Sequence, residues 1–126
     1  MSEKMIFIIH SLSMTEEAIQ FENSVHQKCY IPGRDTNQNQ HGDEILKENF
    51  KAMKDSSEDV FCLWDGESFG TIFDMGMAYA LGKRIIPIAY VSNDKHWKKF
   101  FKQKIEDGDS IKFEEKMSIK NKEDLE

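Results

Sequence analysis

The sequence predicts an α/β protein: a three-layer Rossmann-like or flavodoxin-like domain of about five parallel strands with helices on both faces. A continuous apolar run at residues 5–9 is typical of a central parallel strand that is covered on both sides. Two further runs, at residues 60–64 and 84–90, are short and rich in β-forming residues. The segment between them is apolar at nearly every position over residues 72–81 and stops at Gly82, which predicts a buried helix. A strand, a loop, a buried helix and a second strand form a βαβ unit with parallel strands.

The first half of the chain supplies other predicted elements. Thr15 precedes two acidic residues, which predicts a helix that Thr15 caps. Residues 29–31 form a short second strand, and Pro32 with Gly33 ends this strand as a turn. The polar loop over residues 34–42 follows the carboxyl end of that strand, a position that favours a binding loop over a solvated connection.

One helix is predicted after this loop and another after the last apolar run. Asp43 is expected to cap the first of them. Its inner side is expected to carry four apolar residues, Ile45, Leu46, Phe50 and Met53. The second helix carries aromatic residues that favour core packing or a subunit contact, among them Trp97, Phe100 and Phe101. A short edge strand is expected at residues 111–113, within one domain over residues 1–115 that a charged tail over residues 116–126 follows.

The composition indicates which binding partners and which cellular compartment to expect. The 17 Lys and Arg against 23 Asp and Glu give a net charge of −6, which argues against nucleic acid polymers and anionic membranes and favours small polar ligands. No apolar run approaches the length that spans a membrane. Cys29 and Cys62 are flanked by apolar or aromatic residues, so we expect buried free thiols in a reducing cytoplasm. The sequence has no metal-ligand spacing, and we expect neither a metal nor a cofactor.

The loop after the third strand predicts the functional site, because ligands of parallel sheets bind beyond the carboxyl ends of the strands. The loop contains Asp65 and Ser68, and the next helix opens with Gly70 and Thr71, whose backbone N–H groups suit an anionic oxygen. Asp74 lies one turn further on as the single charge in an apolar helix, which is costly unless the group is paired or functional. Alternatively, Thr71 and Asp74 form a capping-box pair that ties up the first amides of the helix.

The run SFGTIFDMGMAYALGKRII resembles the nucleoside 2-deoxyribosyltransferase family and the related enzymes that hydrolyse the N-glycosidic bond of 2′-deoxynucleoside 5′-monophosphates. The resemblance covers about residues 43–90. The matching positions of the motif are Gly70, Thr71, Asp74, Gly76, Ala78, Gly82 and Lys83. The resemblance implies the same fold, a small-molecule nucleoside or nucleotide as ligand, and a homodimer or higher homo-oligomer with its sites near subunit interfaces.

The resemblance also implies catalytic roles. In the family, the carboxylate of the motif attacks the anomeric carbon of 2-deoxyribose, and a base or water then resolves the glycosyl-enzyme. This role falls to Asp74, which is one methylene shorter than the glutamate of the family. Asn49 stands where the family has an aspartate that contacts the nucleobase. Because an amide cannot transfer a proton at neutral pH, Asp35 or Asp65 is expected to substitute for it.

The remaining candidate residues concern the phosphate and the first strand. Ser68 matches the serine of the nucleotide hydrolases, which implies a monophosphate ligand with Ser68, Gly70 and Arg34 near the phosphate. His10 and Ser11 leave the first strand at its carboxyl end, where the family has a glycine-rich turn, and both are expected to contact substrate. A satisfied structural histidine is the alternative interpretation of His10.

The two departures from the family motivate a second function, a nucleotide-binding sensor or sequestering module of the same fold without the chemistry. A phosphoribohydrolase of the lysine-decarboxylase-like group is a third. That group also carries Gly-Thr-x-x-Glu, but it has a Pro-Gly-Gly-rich turn where this sequence has Asp-Gly-Glu-Ser-Phe. Dinucleotide or ATP binding fits less well, because the sequence has neither a G-x-G-x-x-G after the first strand nor a P-loop.

Overall fold

The computed structural model describes residues 4–64 and 68–90. The expected aromatic helix, the edge strand at residues 111–113 and the tail at residues 116–126 lie outside the described residues. A single 3-10 turn at Leu12–Met14 precedes the first helix. The other elements are β1 (Ile6–Ile9), α1 (Thr15–Val25), β2 (Cys29–Tyr30), α2 (Pro32–Asp35), α3 (Gly42–Asp55), β3 (Asp59–Trp64), α4 (Phe69–Ala80) and β4 (Arg84–Tyr90). None of the described helices is long and apolar enough to cross a membrane.

The four described strands form one parallel sheet in the order β2-β1-β3-β4. This confirms the α/β class and the parallel sheet, whereas the fifth strand and the three-layer arrangement stay predictions. From β1 the chain moves to β2 on one side, crosses back past β1 to β3, and continues to β4. The strand order therefore reverses between β1 and β3, and the crevice at such a switch point is where open α/β sheets bind ligands.

Two apolar clusters cover the two faces of the sheet. Because side chains alternate along a strand, Ile6 and Ile8 of β1 lie in one cluster, and Phe7 and Ile9 lie in the other. The first cluster includes buried residues of α1, and the second includes buried residues of α3 and α4. Right-handed crossovers account for this division, since connections that run in opposite directions along a sheet place their helices on opposite faces.

The structure shows that the two predicted helix caps, Thr15 and Asp43, are wrong. Thr15 is the first residue of α1 rather than its cap. Its backbone N–H donates to the Leu12 carbonyl and closes the preceding 3-10 turn, and its hydroxyl donates to the same carbonyl at 2.8 Å. His41 precedes α3 in an extended conformation, and Gly42 begins the helix, so Asp43 lies inside the first turn. Neither helix has a hydrogen bond from the side chain of its capping residue.

Two further expectations are wrong in part. Pro32 and Gly33 do not form a turn; they begin the one-turn helix α2, since proline suits the first position of a helix. Leu46 and Phe50 are not on the inner side of α3, and they are 43% and 38% exposed. The inner side carries Asn49 and Met53 as its buried residues, with Ile45 and Ala52 half-buried. A polar residue thus occupies the place where the apolar pattern of the sequence predicts a hydrophobic one.

Gly33 lies against the end of β1. A Cβ atom at this position would meet the Oγ1 atom of Thr15 and would lie 2.8 Å from the Cε1 atom of His10. These contacts are closer than real Cβ atoms make, so the packing of α2 on the segment after β1 requires the absence of a side chain. Gly42, at the start of α3, has no atom within 4 Å of its hypothetical Cβ.

We predict that Gly33→Ala lowers the free energy of unfolding by about 1–3 kcal/mol, because an overpacked methyl group must displace Thr15 or His10. The matched control is Gly42→Ala, which is expected to change stability by between about 0 and +1 kcal/mol, since alanine restricts the unfolded chain and meets nothing in the folded one. Urea denaturation of both variants measures the difference. Equal stabilities of the two variants would contradict the close packing at Gly33.

Candidate functional site

The N-terminus of α4 lies at the carboxyl end of β3 and is capped by Ser68. The Ser68 hydroxyl oxygen accepts a hydrogen bond from the Thr71 N–H at 3.3 Å, and the Ser68 carbonyl accepts one from the Ile72 N–H at 3.3 Å. Because Ser68 performs the capping, the alternative of a capping-box pair between Thr71 and Asp74 is wrong. Thr71 and Asp74 therefore need another explanation.

The buried side of α4 is polar in its first part and apolar further along. Its buried residues are Thr71, Asp74, Met75 and Ala78, which follow helical spacing. The two nearest the strand ends are polar, and the two further along are apolar. Thr71 is fully buried, and its hydroxyl oxygen has no hydrogen-bond partner in the described part of the chain. Asp74 is 7% exposed, and no hydrogen bond or ion pair reaches its carboxyl group within residues 4–64 and 68–90.

The carboxyl group of Asp74 titrates far from its usual range. Burial raises its pKa from 3.8 to about 7, because the apolar surroundings disfavour the charged form. Near neutral pH the group is therefore divided between the acid and the carboxylate. A carboxyl in this state can act as a proton donor, a proton acceptor or a weakly solvated nucleophile.

Asn49 lies on α3, on the same face of the sheet as α4, and is 7% exposed. Its Oδ1 atom accepts a hydrogen bond from the Thr36 hydroxyl at 2.7 Å. The Tyr30 hydroxyl lies 2.6 Å from the same Thr36 oxygen, and because threonine has one hydroxyl hydrogen, Tyr30 is the donor. This chain of hydrogen bonds fixes the amide oxygen of Asn49 toward the protein and leaves the NH₂ group as the donor for a ligand.

His10 follows β1 and holds α2 in place. Its Nδ1 atom is 2.6 Å from the Ser11 carbonyl, and its Nε2 atom accepts a hydrogen bond from the Gly33 N–H at 3.2 Å. An acceptor at Nε2 requires a neutral ring with its proton on Nδ1, and burial lowers the pKa of His10. Both ring nitrogens are thus used within the protein, which favours the structural interpretation of His10. The Ser11 hydroxyl is paired with that of Ser13 at 2.9 Å.

Arg34 and Asp35 are engaged at the outer edge of the sheet. Arg34 pairs with both carboxylate oxygens of Glu22, at 2.6 and 3.0 Å, and its Nε atom is 2.9 Å from Asp35. Glu22 also accepts the Cys29 N–H at 2.8 Å, and Arg34 donates to the Cys29 carbonyl at 3.0 Å. Asp35 accepts the Ile31 N–H at 2.9 Å. All three guanidinium nitrogens thus have protein acceptors, and a phosphate would have to displace one of them.

The structure therefore brings together only part of the expected site. Ser68, Gly70, Thr71 and Asp74 share the first two turns of α4, and Asn49 lies on the neighbouring helix of the same face. His10 and Ser11 lie at the adjacent strand end, whereas Arg34 and Asp35 follow the outermost strand. Asp65 lies outside the described residues.

Two residues of this region are not among the sequence-predicted ones. Thr36 orients Asn49, and nothing distinguishes it from its neighbours in a polar loop. Glu17 lies in the first turn of α1, and its Oε2 atom is buried with no hydrogen-bond partner within residues 4–64 and 68–90. In the sequence it has the appearance of an ordinary acidic residue of a first helical turn.

Fold and site define an α/β protein with a buried carboxyl group beside the crevice at the centre of a parallel sheet. Comparisons of the chain with family models, with curated proteins and with solved structures found no match. The resemblance to the nucleoside 2-deoxyribosyltransferase family therefore stays a prediction made from the residues of the motif.

We predict that Asp74→Asn changes how stability depends on pH. The native state of the wild type binds more protons than the unfolded state between pH 4 and pH 7, because the folded pKa of Asp74 is about 7 against 3.8 unfolded. The stability of the wild type relative to Asp74→Asn should therefore be greatest below pH 4 and should fall by up to roughly 4 kcal/mol as the pH rises to 8.

Urea denaturation at pH 4, 6 and 8 measures this difference. The control is Thr71→Val, which changes the same buried stripe without altering a titrating group, so its effect on stability should not depend on pH. A difference between the wild type and Asp74→Asn that stays constant from pH 4 to pH 8 would show that Asp74 ionises normally.

Proposed function

We propose that the protein cleaves or transfers the N-glycosidic bond of a 2′-deoxynucleoside or its 5′-monophosphate. The observation that supports this most is the Asp74 carboxyl, which is buried beside the crevice between β1 and β3 with a pKa of about 7 and has no partner among the described residues. A protein that only needed a stable helix would gain by an apolar residue there. The position also coincides with the nucleophile that the motif implies.

Asp74 acts in this proposal as the nucleophile. Its carboxylate oxygen forms a bond to the anomeric carbon while the bond from that carbon to the base nitrogen breaks, and the departing base takes up a proton. Water or a second base then attacks the same carbon, which releases the sugar and restores the carboxylate. Because the apolar surroundings do not solvate the carboxylate, its oxygen is more reactive than an exposed one.

The start of α4 offers a place for the 5′-phosphate. In this proposal the Ser68 hydroxyl, which accepts the Thr71 N–H, turns its own hydrogen toward a phosphate oxygen when the ligand binds. The Gly70 N–H precedes the two amides that Ser68 engages, and the N-terminal end of a helix favours negative charge. The unpartnered Thr71 hydroxyl is a further donor close to Asp74.

Asn49 is the residue that contacts the nucleobase in this proposal. Its NH₂ group can donate to an acceptor of the base, because the amide oxygen is held by Thr36. It cannot supply the proton that the leaving base needs. That proton comes from water or from a carboxyl group.

We also propose that the protein lies in the cytoplasm, because the thiols of Cys29 and Cys62 are buried and form no disulfide.

We predict that wild-type protein releases free base from, or exchanges bases between, deoxynucleosides or their 5′-monophosphates, and that Asp74→Ala lowers this activity at least about a thousandfold. Asp74→Glu, which keeps a carboxylate and restores the side chain of the family motif, should retain measurable activity. Asp55→Ala, an exposed carboxyl at the other end of α3, is the control and should behave as wild type. Chromatography of the released bases provides the measurement.

The same assay tests whether the substrate is the nucleoside or its monophosphate and whether Asp74 must be ionised for activity. Ser68→Ala should raise KM for a monophosphate roughly tenfold and leave KM for the nucleoside unchanged, because in this proposal the Ser68 hydroxyl contacts the 5′-phosphate, which the nucleoside lacks. The kcat/KM of the wild type should rise with pH with a midpoint at about 7, where half of the Asp74 nucleophile is ionised, and should level off at about pH 8. Absence of base release and of base exchange in wild type and variants alike would refute the enzymatic proposal.

A nucleotide-binding module is the second candidate, and the state of Asn49 favours it. The amide replaces a carboxylate that would assist the leaving base, and its hydrogen bond to Thr36 gives it a fixed, purely binding role. We predict for this case that a deoxynucleoside monophosphate raises the melting temperature of wild type and of Asp74→Ala by equal amounts without turnover. A lack of stabilisation by any nucleotide would exclude this second function.

A further inference from the structure

A second carboxyl group lies beside the crevice, and the proposed function does not use it. Glu17 belongs to the first turn of α1. Its side chain is half-buried, and its Oε2 atom is buried with no hydrogen-bond partner in the part of the chain that the structure describes. A carboxylate oxygen only accepts hydrogen bonds, and leaving it buried without a donor lowers stability. A hydrogen-bond donor of a ligand would complete its contacts.

Two observations place Glu17 at the carboxyl edge of the sheet, between β1 and β3. Phe21, one turn further along the same side of α1, packs edge-to-face on Phe61 of β3 with 5.0 Å between the ring centroids. Because β1 and β2 are parallel, α1 runs back from the carboxyl edge, so Glu17 lies nearer to that edge than Phe21 does. Burial lowers the pKa of His10 and the charge of Glu17 acts in the opposite sense, so the Glu17 carboxyl group lies near the end of β1.

The two helices beside the crevice follow one pattern. On the buried side of α4, the polar residues Thr71 and Asp74 precede apolar ones. On α1, Glu17 precedes Phe21, which belongs to the apolar core. The two helices pack in different apolar clusters, so they approach the crevice from opposite faces of the sheet. A ligand in the crevice would therefore have one acidic group on each side.

We propose that Glu17 accepts a hydrogen bond from the 3′-hydroxyl of the deoxyribose and so helps to select the sugar, an inference that rests on the proposed function. A 2′-deoxynucleoside has three polar parts, which are the base, the 5′ group and the 3′-hydroxyl. The proposed function places the base at Asn49 of α3 and the 5′-phosphate at the start of α4. The 3′-hydroxyl is the donor that still lacks an acceptor.

The stereochemistry of the sugar directs this hydroxyl toward Glu17. The base and the 5′ carbon project from one side of the ring. The 3′-hydroxyl projects from the other side, from which Asp74 attacks the anomeric carbon. The 3′ carbon lies on the edge of the ring that is remote from the base. A sugar with its anomeric carbon at Asp74 on α4 therefore extends its 3′-hydroxyl away from α4, toward α1.

Binding measured without turnover tests the contact. The Asp74→Ala protein lacks the proposed nucleophile, and isothermal titration calorimetry gives its Kd for the common 2′-deoxynucleosides, their 5′-monophosphates and the 2′,3′-dideoxy counterparts, which lack only the 3′-hydroxyl. For the base that binds most tightly, the dideoxy form should bind about 10- to 100-fold more weakly, because a hydrogen bond to a charged group is lost. Adding Glu17→Ala should reduce this ratio of Kd values to about 1.

Two further variants separate recognition of the sugar from stability of the fold. Glu16→Ala changes the exposed acidic residue of the same turn and should leave the ratio unchanged. Glu17→Gln keeps an acceptor without the charge and should give an intermediate ratio. Because both ligands are measured on the same protein, a loss of folded protein lowers both signals and does not change the ratio of the Kd values.

Three results would overturn the inference: a ratio of about 1 with Glu17 present, a ratio that Glu17→Ala leaves unchanged, or no binding of any of these ligands. The assay of base release is separate. Dependence of the ratio on Glu17 without base release would refute the enzymatic proposal alone. Base release by the wild type with a ratio that does not depend on Glu17 would refute this inference alone.

Discussion

The parallel pairing of β1 with β3 determines the position of everything that we assign to function. The pairs Ile8 with Phe61 and Ile9 with Cys62 bring the carboxyl ends of the two strands to the same edge of the sheet. The helix α1 that follows β1 packs in one apolar cluster and α4, which follows β3, packs in the other. The crevice thus results from strand order, and the residues beside it are those that follow the strands by one or two helical turns.

Within this arrangement α4 combines two opposing requirements. Its burial is driven by apolar contacts of Met75 and Ala78 with the sheet, and the same burial removes Asp74 and Thr71 from water. A carboxyl with a raised pKa and a hydroxyl without a partner both lower stability. Groups of this kind persist where a ligand completes their contacts, and their position at the strand ends is consistent with that interpretation.

The sequence is a good guide to those features that depend on long apolar runs. The strands β1, β3 and β4 and the helix α4 follow from such runs, although α4 is exposed on its outer side at Phe69, Phe73 and Tyr79 and is not the wholly buried helix that the sequence predicts. The parallel sheet follows from the order of the elements. Features that depend on a particular partner are less predictable. Nothing near Arg34 in the chain shows that Glu22 binds it, since the two are 12 residues apart. The predicted caps at Thr15 and Asp43 are wrong because backbone carbonyls accept the hydrogen bonds at both helix starts. The Leu12 carbonyl accepts the Thr15 N–H, and the His41 carbonyl accepts the N–H groups of Glu44 and Ile45.

The contacts of Glu22 and Arg34 also determine what the outer edge of the sheet can do. Edge strands expose backbone donors and acceptors that can template the addition of another strand, which leads to fibrils. Here the Cys29 N–H is taken by Glu22, and the Cys29 carbonyl is taken by Arg34. The two side chains are joined to each other and occupy the place of a neighbouring strand. β2 is therefore the edge of the described sheet, and the backbone N–H and carbonyl groups of Cys29 are not available for pairing with a strand of another molecule.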